Sequence, residues 1–158
     1  MTSMQHKLIT TKNVIDTERL GASMGSRLQG GEVIELISDL GGGKTAFTRG
    51  LAKGLGSADR VMSPSFTISR VYNSGALQLV HYDFYRLEDP GLLRHELVES
   101  LTDDTTITVI EWSHVVKDVL PNERVTITIQ KTGEEAREFT IAYPDSLHYL
   151  MKGLDDAL

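Results

Sequence analysis

The chain predicts a single α/β domain, a mixed parallel and antiparallel sheet flanked by helices. Three observations carry this. The apolar, β-branched run EVIELI (Glu32 to Ile37) leads through a glycine turn into an amphipathic stretch, the strand–turn–helix order of parallel α/β units. ITVI, Ile107 to Ile110, is a continuous apolar run of the kind buried on both faces of a parallel sheet. Two hairpin signals, Asn73-Ser74-Gly75 and a turn around Gly133, add antiparallel strands. A length of 158 residues fits one domain over 1–158, large enough to bury a core.

The elements follow in order. His6 to Val14 alternates weakly and reads as an edge strand, and Asp16 or Thr17 is placed to cap the next helix. Leu20, Met24 and Leu28 mark that helix's apolar face, closed by Gly30 and Gly31 before the Glu32 strand. After the glycine turn, Phe47, Leu51 and Leu55 line one helical face, with Gly54 and Gly56 as stop signals. Pro64 breaks regularity in a loop whose Ser63, Ser65 and Thr67 offer hydroxyls. A strand from Phe66 to Tyr72 follows, and Leu77 to Phe84 returns antiparallel to it. Asp89 as cap and Pro90 in the first turn predict a helix to about Leu101, and Asp103 with Asp104 reads as a solvated turn. Trp112 to Val119 reads as a short helix or turn stopped before Pro121. Val125, Ile127 and Ile129 pair with Phe139 and Ile141 in a hairpin with one wet face. Leu147, Leu150, Met151, Leu154 and Leu158 predict a C-terminal amphipathic helix.

Composition narrows the function. With 22 acidic and 16 basic residues the net charge is -6, which argues against a broad nucleic-acid-binding surface, DNA included. The absence of cysteine excludes disulfides, thiolate metal sites and a cysteine nucleophile, and suits a reducing cytoplasm. No stretch is long and apolar enough to span a bilayer, so neither export nor membrane insertion is expected.

The chemistry centres on SDLGGGKT, Ser38 to Thr45. Successive glycines allow a tight turn whose N–H groups approach a polyphosphate. Lys44 adds a positive charge, the Thr45 hydroxyl is positioned for magnesium, and the helix N-terminus adds its dipole. The match to G-x-x-x-x-G-K-[ST] is partial, because Ser38 occupies the first position. Such a cradle needs a carboxylate to orient the metal and the attacking group. Glu111, at the carboxyl end of ITVI, and Asp83, in VHYDFYR, are the candidates, since charges in apolar runs are costly unless paired or metal-bound. The alternative for each is a solvated carboxylate or an arginine partner, with Arg86 close to Asp83. His81 either holds a polar network around Asp83 or is structural, the commoner case for a lone strand histidine. Trp112 reads as packing near the site, and Arg49 either reaches a phosphate or braces a carboxylate.

Together these motifs resemble the TsaE family of small bacterial P-loop ATPases required for the threonylcarbamoyladenosine modification of tRNA. The likeness rests on TERLG from Thr17, DLGGGKT from Asp39, FTRGLAKGLG from Phe47, SPSFT from Ser63, HYDFYRLEDP from His81 and IEWSHVVKDVLP from Ile110. Departures are Ser38 for the usual Gly, Gly42 for Ala, Ser65 for Thr, and GLLRHELVES after Pro90. The resemblance implies a P-loop NTPase-like fold. It implies ATP contacts along Asp39, Leu40, Gly41, Gly42, Gly43, Lys44, Thr45 and Ala46, with Thr17 near the base. Mg2+ would be held by Thr45 and Glu111, with Lys44, Asp83 and Glu111 serving hydrolysis and Ser63 to Thr67 sensing the nucleotide. The implied partners are TsaB and TsaD, whose complex ATP turnover would reset, with tRNA met only through that complex. Two other classes stay open. One is a small-molecule kinase, against which stands the lack of an arginine-rich lid segment; the other is a nucleotide-gated binding module with incidental hydrolysis.

Overall fold

The computed structural model describes residues 3–39, 41–60, 69–85 and 87–158. Leu40, Arg86, the hydroxyl-rich loop at Ser63 to Thr67 and the start of the strand expected from Phe66 lie outside the described residues.

The architecture is α/β, a seven-stranded mixed sheet in the order β1-β7-β6-β2-β5-β4-β3. Its strands are β1 (Met4–Thr11), β2 (Val33–Ile37), β3 (Ser69–Ser74), β4 (Leu77–Asp83), β5 (Thr106–Glu111), β6 (Val125–Lys131) and β7 (Arg137–Pro144). The centre, β6-β2-β5-β4, is parallel. β3 and the β7-β1 pair extend it antiparallel at the two edges. Every residue of β5 is buried, as its unbroken apolar run requires of a strand covered on both faces.

Two helices, α1 (Val14–Gly25) and α2 (Lys44–Leu55), cover one face, where Leu20, Met24, Phe47 and Leu51 pack onto Ile34, Leu36, Leu79, Ile107, Val109 and Ile127. α3 (Leu93–Thr102) covers the other face with two short 3₁₀ turns, Ser113–Val115 and Lys117–Val119, over Val33, Val80, Tyr82 and Ile110. α1 and α2 lie backbone to backbone. A Cβ on Gly21 would fall 2.3 Å from the Phe47 carbonyl oxygen, and one on Gly50 would fall 2.2 Å from that of Glu18. Gly54, expected as a stop signal, instead sits inside α2, where a Cβ would fall 2.1 Å from the Ala22 oxygen; Gly56, at φ 101°, ends the helix.

Four further expectations are corrected. The cap of α1 is Asn13, whose Oδ1 accepts from the Asp16 amide at 2.8 Å, so the helix already includes Asp16 and Thr17. The expected edge strand ends at Thr11, and Val14 opens the helix. α3 starts at Leu93 rather than after Asp89, because Asp89 accepts from the Gly91 amide at 3.0 Å in a turn and Gly91 takes φ 54°, outside helical space. The C-terminal segment forms 3₁₀ turns, Asp145–Met151 and Asp155–Ala157, interrupted by Gly153 at φ 70°. Leu147, Leu150, Met151 and Leu154 are still buried, since a spacing of three serves a 3₁₀ turn as well as an α-helix.

Candidate nucleotide site

Parity along the strands decides which side chains reach the α1/α2 face. On β5 the alternation carries Ile107, Val109 and then Glu111 to that side; on β4 it carries Leu79, His81 and Asp83. In the parallel register Asp83 lies opposite Glu111. Two carboxylates and an imidazole therefore converge at the carboxyl ends of adjacent parallel strands, where α/β sheets place ligands. The N-terminus of α2 opens over the same spot, because β2 ends at Ile37 and the cradle turns directly into the helix at Lys44.

Within the cradle, Gly41 (φ 74°) and Gly43 (φ 102°) take left-handed backbone that a side chain would strain. The Gly42 amide donates to the Asp39 carbonyl at 3.1 Å. A Cβ on Gly42 would fall 2.3 Å from Ser38 Oγ and 2.8 Å from Ser38 Cβ. The Ser38 hydroxyl itself donates to the Asp39 carbonyl at 2.9 Å. Lys44 is buried, and its Nζ donates to the Ser38 carbonyl at 3.2 Å, lies 3.5 Å from Glu111 Oε1 and sits 4.5 Å from the Trp112 ring centroid. Trp112 is the non-glycine residue with positive φ (55°) among those described, a conformation that turns the chain out of β5 and sets the indole under the lysine.

These groups line a cleft of about 360 Å³ with Val14, Gly41 through Ala46, Arg49 and Arg137. Burial pushes the Asp83 carboxyl above its ordinary 3.8, with the Glu111 charge acting the same way against an amide hydrogen bond from Tyr85 at 3.0 Å. Burial also opposes ionisation of Glu111, but His81 and Lys44 outweigh it and hold that carboxyl below 4.5. The two neighbouring carboxyls are thus shifted in opposite directions.

Of the residues singled out from sequence, Gly41, Gly42, Gly43, Lys44, Thr45, Ala46, Asp83 and Glu111 are brought together in this cleft. Asp39 is exposed at its entry and contributes its carbonyl to the turn. Thr17 is buried in α1, its hydroxyl 2.9 Å from that of Thr11; it does not line the cleft, and Val14, one turn earlier, does. Arg49 pairs with Glu18 while edging the cleft, so it braces a carboxylate, one of its two readings. His81 is fully buried with Nε2 against Glu111 Oε2.

Two residues escaped the sequence reading. Arg137, at the start of β7, donates from Nε to the Gly42 carbonyl at 3.0 Å and from Nη2 to that of Gly41 at 3.3 Å, fastening the cradle to the β6-β7 turn. Glu35 is buried in β2, where Arg124 Nε and Thr126 Oγ1 each donate to it at 3.1 Å and the Ser113 hydroxyl donates to its other oxygen, pinning the turn that carries Trp112. Glu35 carried a signal, a charge inside the apolar run EVIELI; Arg137, between Ala136 and Glu138, carried none.

The residues fit a magnesium–nucleotide group. The cradle has no room for a side chain at Gly42, and a lysine, a hydroxyl and two carboxylates face its mouth.

Residues 11–139 match the family model described as "Threonylcarbamoyl adenosine biosynthesis protein TsaE". The chain is 38% identical over 131 residues to the tRNA threonylcarbamoyladenosine biosynthesis protein TsaE of Bacillus subtilis (strain 168), spanning 82% of this chain and 81% of that one. It is 37% identical over 132 residues to the protein of the same name from Treponema pallidum (strain Nichols), spanning 84% and 97% respectively. A crystal structure of Bacillus subtilis YdiB superposes with a TM-score of 0.75 at 30% identity, covering 99% of this chain and 98% of the other. Matched over most of its length in sequence and fold, with the cradle and both carboxylates inside the matched region, the chain belongs to the TsaE family.

Proposed function

We propose that this protein is a magnesium-dependent ATP-binding and ATP-hydrolysing accessory of tRNA threonylcarbamoyladenosine biosynthesis, working with TsaB and TsaD, whose complex its turnover resets. The observation that carries the reading is the convergence of Lys44, Asp83 and Glu111 on the glycine cradle at the N-terminus of α2. The relatives' names supply the pathway.

Lys44 faces Glu111 across 3.5 Å. Phosphate entering the cradle would draw the lysine away, and the α2 amides and dipole would bind the same charge. Thr45 and Glu111 would then be free to hold the cation, and magnesium when bound neutralises charge on the terminal phosphates. Asp83, at the cleft's edge, would orient the attacking water. Trp112 walls one side of the cleft and limits water around the lysine.

The test is ATP hydrolysis measured with and without TsaB and TsaD, comparing wild type with Lys44→Ala. Partner-stimulated phosphate release that Lys44→Ala abolishes is the expected result. Turnover and tRNA modification indifferent to the partners would refute the accessory role, and failure of wild type to bind magnesium–ATP at millimolar ligand would refute the nucleotide site.

A further inference from the structure

We infer that His81 is a positioning residue for Glu111: its Nε2–H anchors one carboxylate oxygen so that the other faces the cleft, where a divalent cation would sit. The inference rests on the nucleotide-site reading above.

The geometry leaves His81 little else to do. It is fully buried on β4, and its Nε2 meets Glu111 Oε2, while Glu111 Oε1 points to Lys44 at 3.5 Å. Its Nδ1 is buried without a hydrogen-bond partner among the described residues. An imidazole carrying its proton on Nδ1 would leave that N–H unsatisfied and turn a bare Nε2 lone pair toward a carboxylate. The arrangement therefore selects the tautomer with the proton on Nε2, donating to Glu111. A glutamate side chain has rotatable bonds enough to present either oxygen, or to swing onto Lys44 altogether. A fixed donor on one oxygen removes that freedom before any ligand arrives. The neighbouring strand makes this possible, because the parallel register sets β4 beside β5 with Asp83 opposite Glu111, which brings His81 up diagonally from one pleat back.

Such a role predicts a selective defect. His81→Leu removes the donor, His81→Asn holds its amide too far back to reach Glu111, and His81→Gln returns an N–H near the position of Nε2. ADP binding is to be measured by calorimetry on the full chain, with and without magnesium, alongside thermal denaturation of each variant. The tightening of ADP binding that magnesium produces in wild type should fall about tenfold or more in His81→Leu and His81→Asn. His81→Gln should recover most of it, and magnesium-free ADP binding should stay within about twofold of wild type in all three. If His81→Leu does not fold, His81→Asn is judged by the same criteria. A folded Leu or Asn variant that keeps the full magnesium effect overturns the inference. So does a loss of ADP binding that is equal with and without the metal, or a Gln variant no better than Asn. Wild type that binds no ADP overturns the nucleotide reading instead, so the two failures are distinct.

Discussion

At Ser38 and Gly42 two side-chain choices depend on each other. A Cβ at position 42 would fall 2.3 and 2.8 Å from the Ser38 Oγ and Cβ and 2.9 Å from the Asp39 carbonyl oxygen, so the serine at the loop entry supplies the two nearest of the atoms that exclude a side chain there. Gly42→Ala alone should weaken magnesium–ADP binding about tenfold, since the loop must shift to relieve the overlap. Ser38→Gly combined with Gly42→Ala should recover part of the loss, since the Asp39 carbonyl oxygen at 2.9 Å remains, and a calorimetric double-mutant cycle reads the coupling. The buried carboxylates make a second prediction. Burial opposes ionisation of Glu35, but Ser113, Arg124 and Lys117 hold it below 4.5, and Glu111 is likewise held low. Both thus add stability that is present above pH 4.5 and lost as pH falls through their folded values, whereas Asp83, raised above 3.8, acts in the opposite sense. The melting temperature should fall on acidification below pH 4.5, and Glu35→Gln should flatten that fall. The same residues show what sequence made legible. Glu111 and Asp83 stood out as charges in apolar runs. Glu35 in EVIELI met the same criterion, and Arg137, between Ala136 and Glu138, carried no such signal; both were passed over because their partners come from distant segments: Ser113 and Arg124 for one, the cradle carbonyls for the other. His81 is the intermediate case. Its type and place were visible, but its contact with Glu111 depends on two strands being parallel neighbours.

Strands were easier to locate than helix ends. β2, β5 and the β6-β7 hairpin follow directly from apolar runs and alternation, since burial on one face or two writes itself into residue type along an extended chain. The starts of α1 and α3 were misplaced because Asn13 and Asp89 each bond a nearby amide, and only the backbone beyond decides whether that bond opens a helix or closes a turn. The C-terminal segment shows a related ambiguity, with apolar spacing that satisfies 3₁₀ turns. In α2 Gly54 misled for a different reason: together with Gly50 it admits α1, a tertiary demand with no local signature. Gly50→Ala would drive a methyl to 2.2 Å from the Glu18 carbonyl oxygen, backbone against backbone. It should destabilise the protein by about 1–3 kcal/mol, measured by thermal or denaturant unfolding. A melting temperature unchanged from wild type would show that the helices separate freely.

Taken as one object, the molecule keeps its chemistry at a single edge. The carboxyl ends of β2, β4 and β5, the cradle and the α2 N-terminus all open there, and Arg137 fastens the β6-β7 turn to the same rim. A partner that completes or reshapes the site has to approach this edge. In the proposed accessory role, TsaB and TsaD together should raise the rate of ATP hydrolysis, and Asp83→Ala should permit nucleotide binding while removing that stimulation, read by phosphate release and equilibrium binding in parallel. The meshing of α1 with α2 has one last consequence. Because carbonyls of each helix occupy the space where the other would carry side chains, the pair behaves as a stiff plate: it has no room to slide or roll, and the cradle cannot tilt without carrying the N-terminal third of the chain along. Among the described residues, the wall free to respond to a bound phosphate is then the opposite one, the strand ends at Asp83 and Glu111 and the turn bearing Trp112.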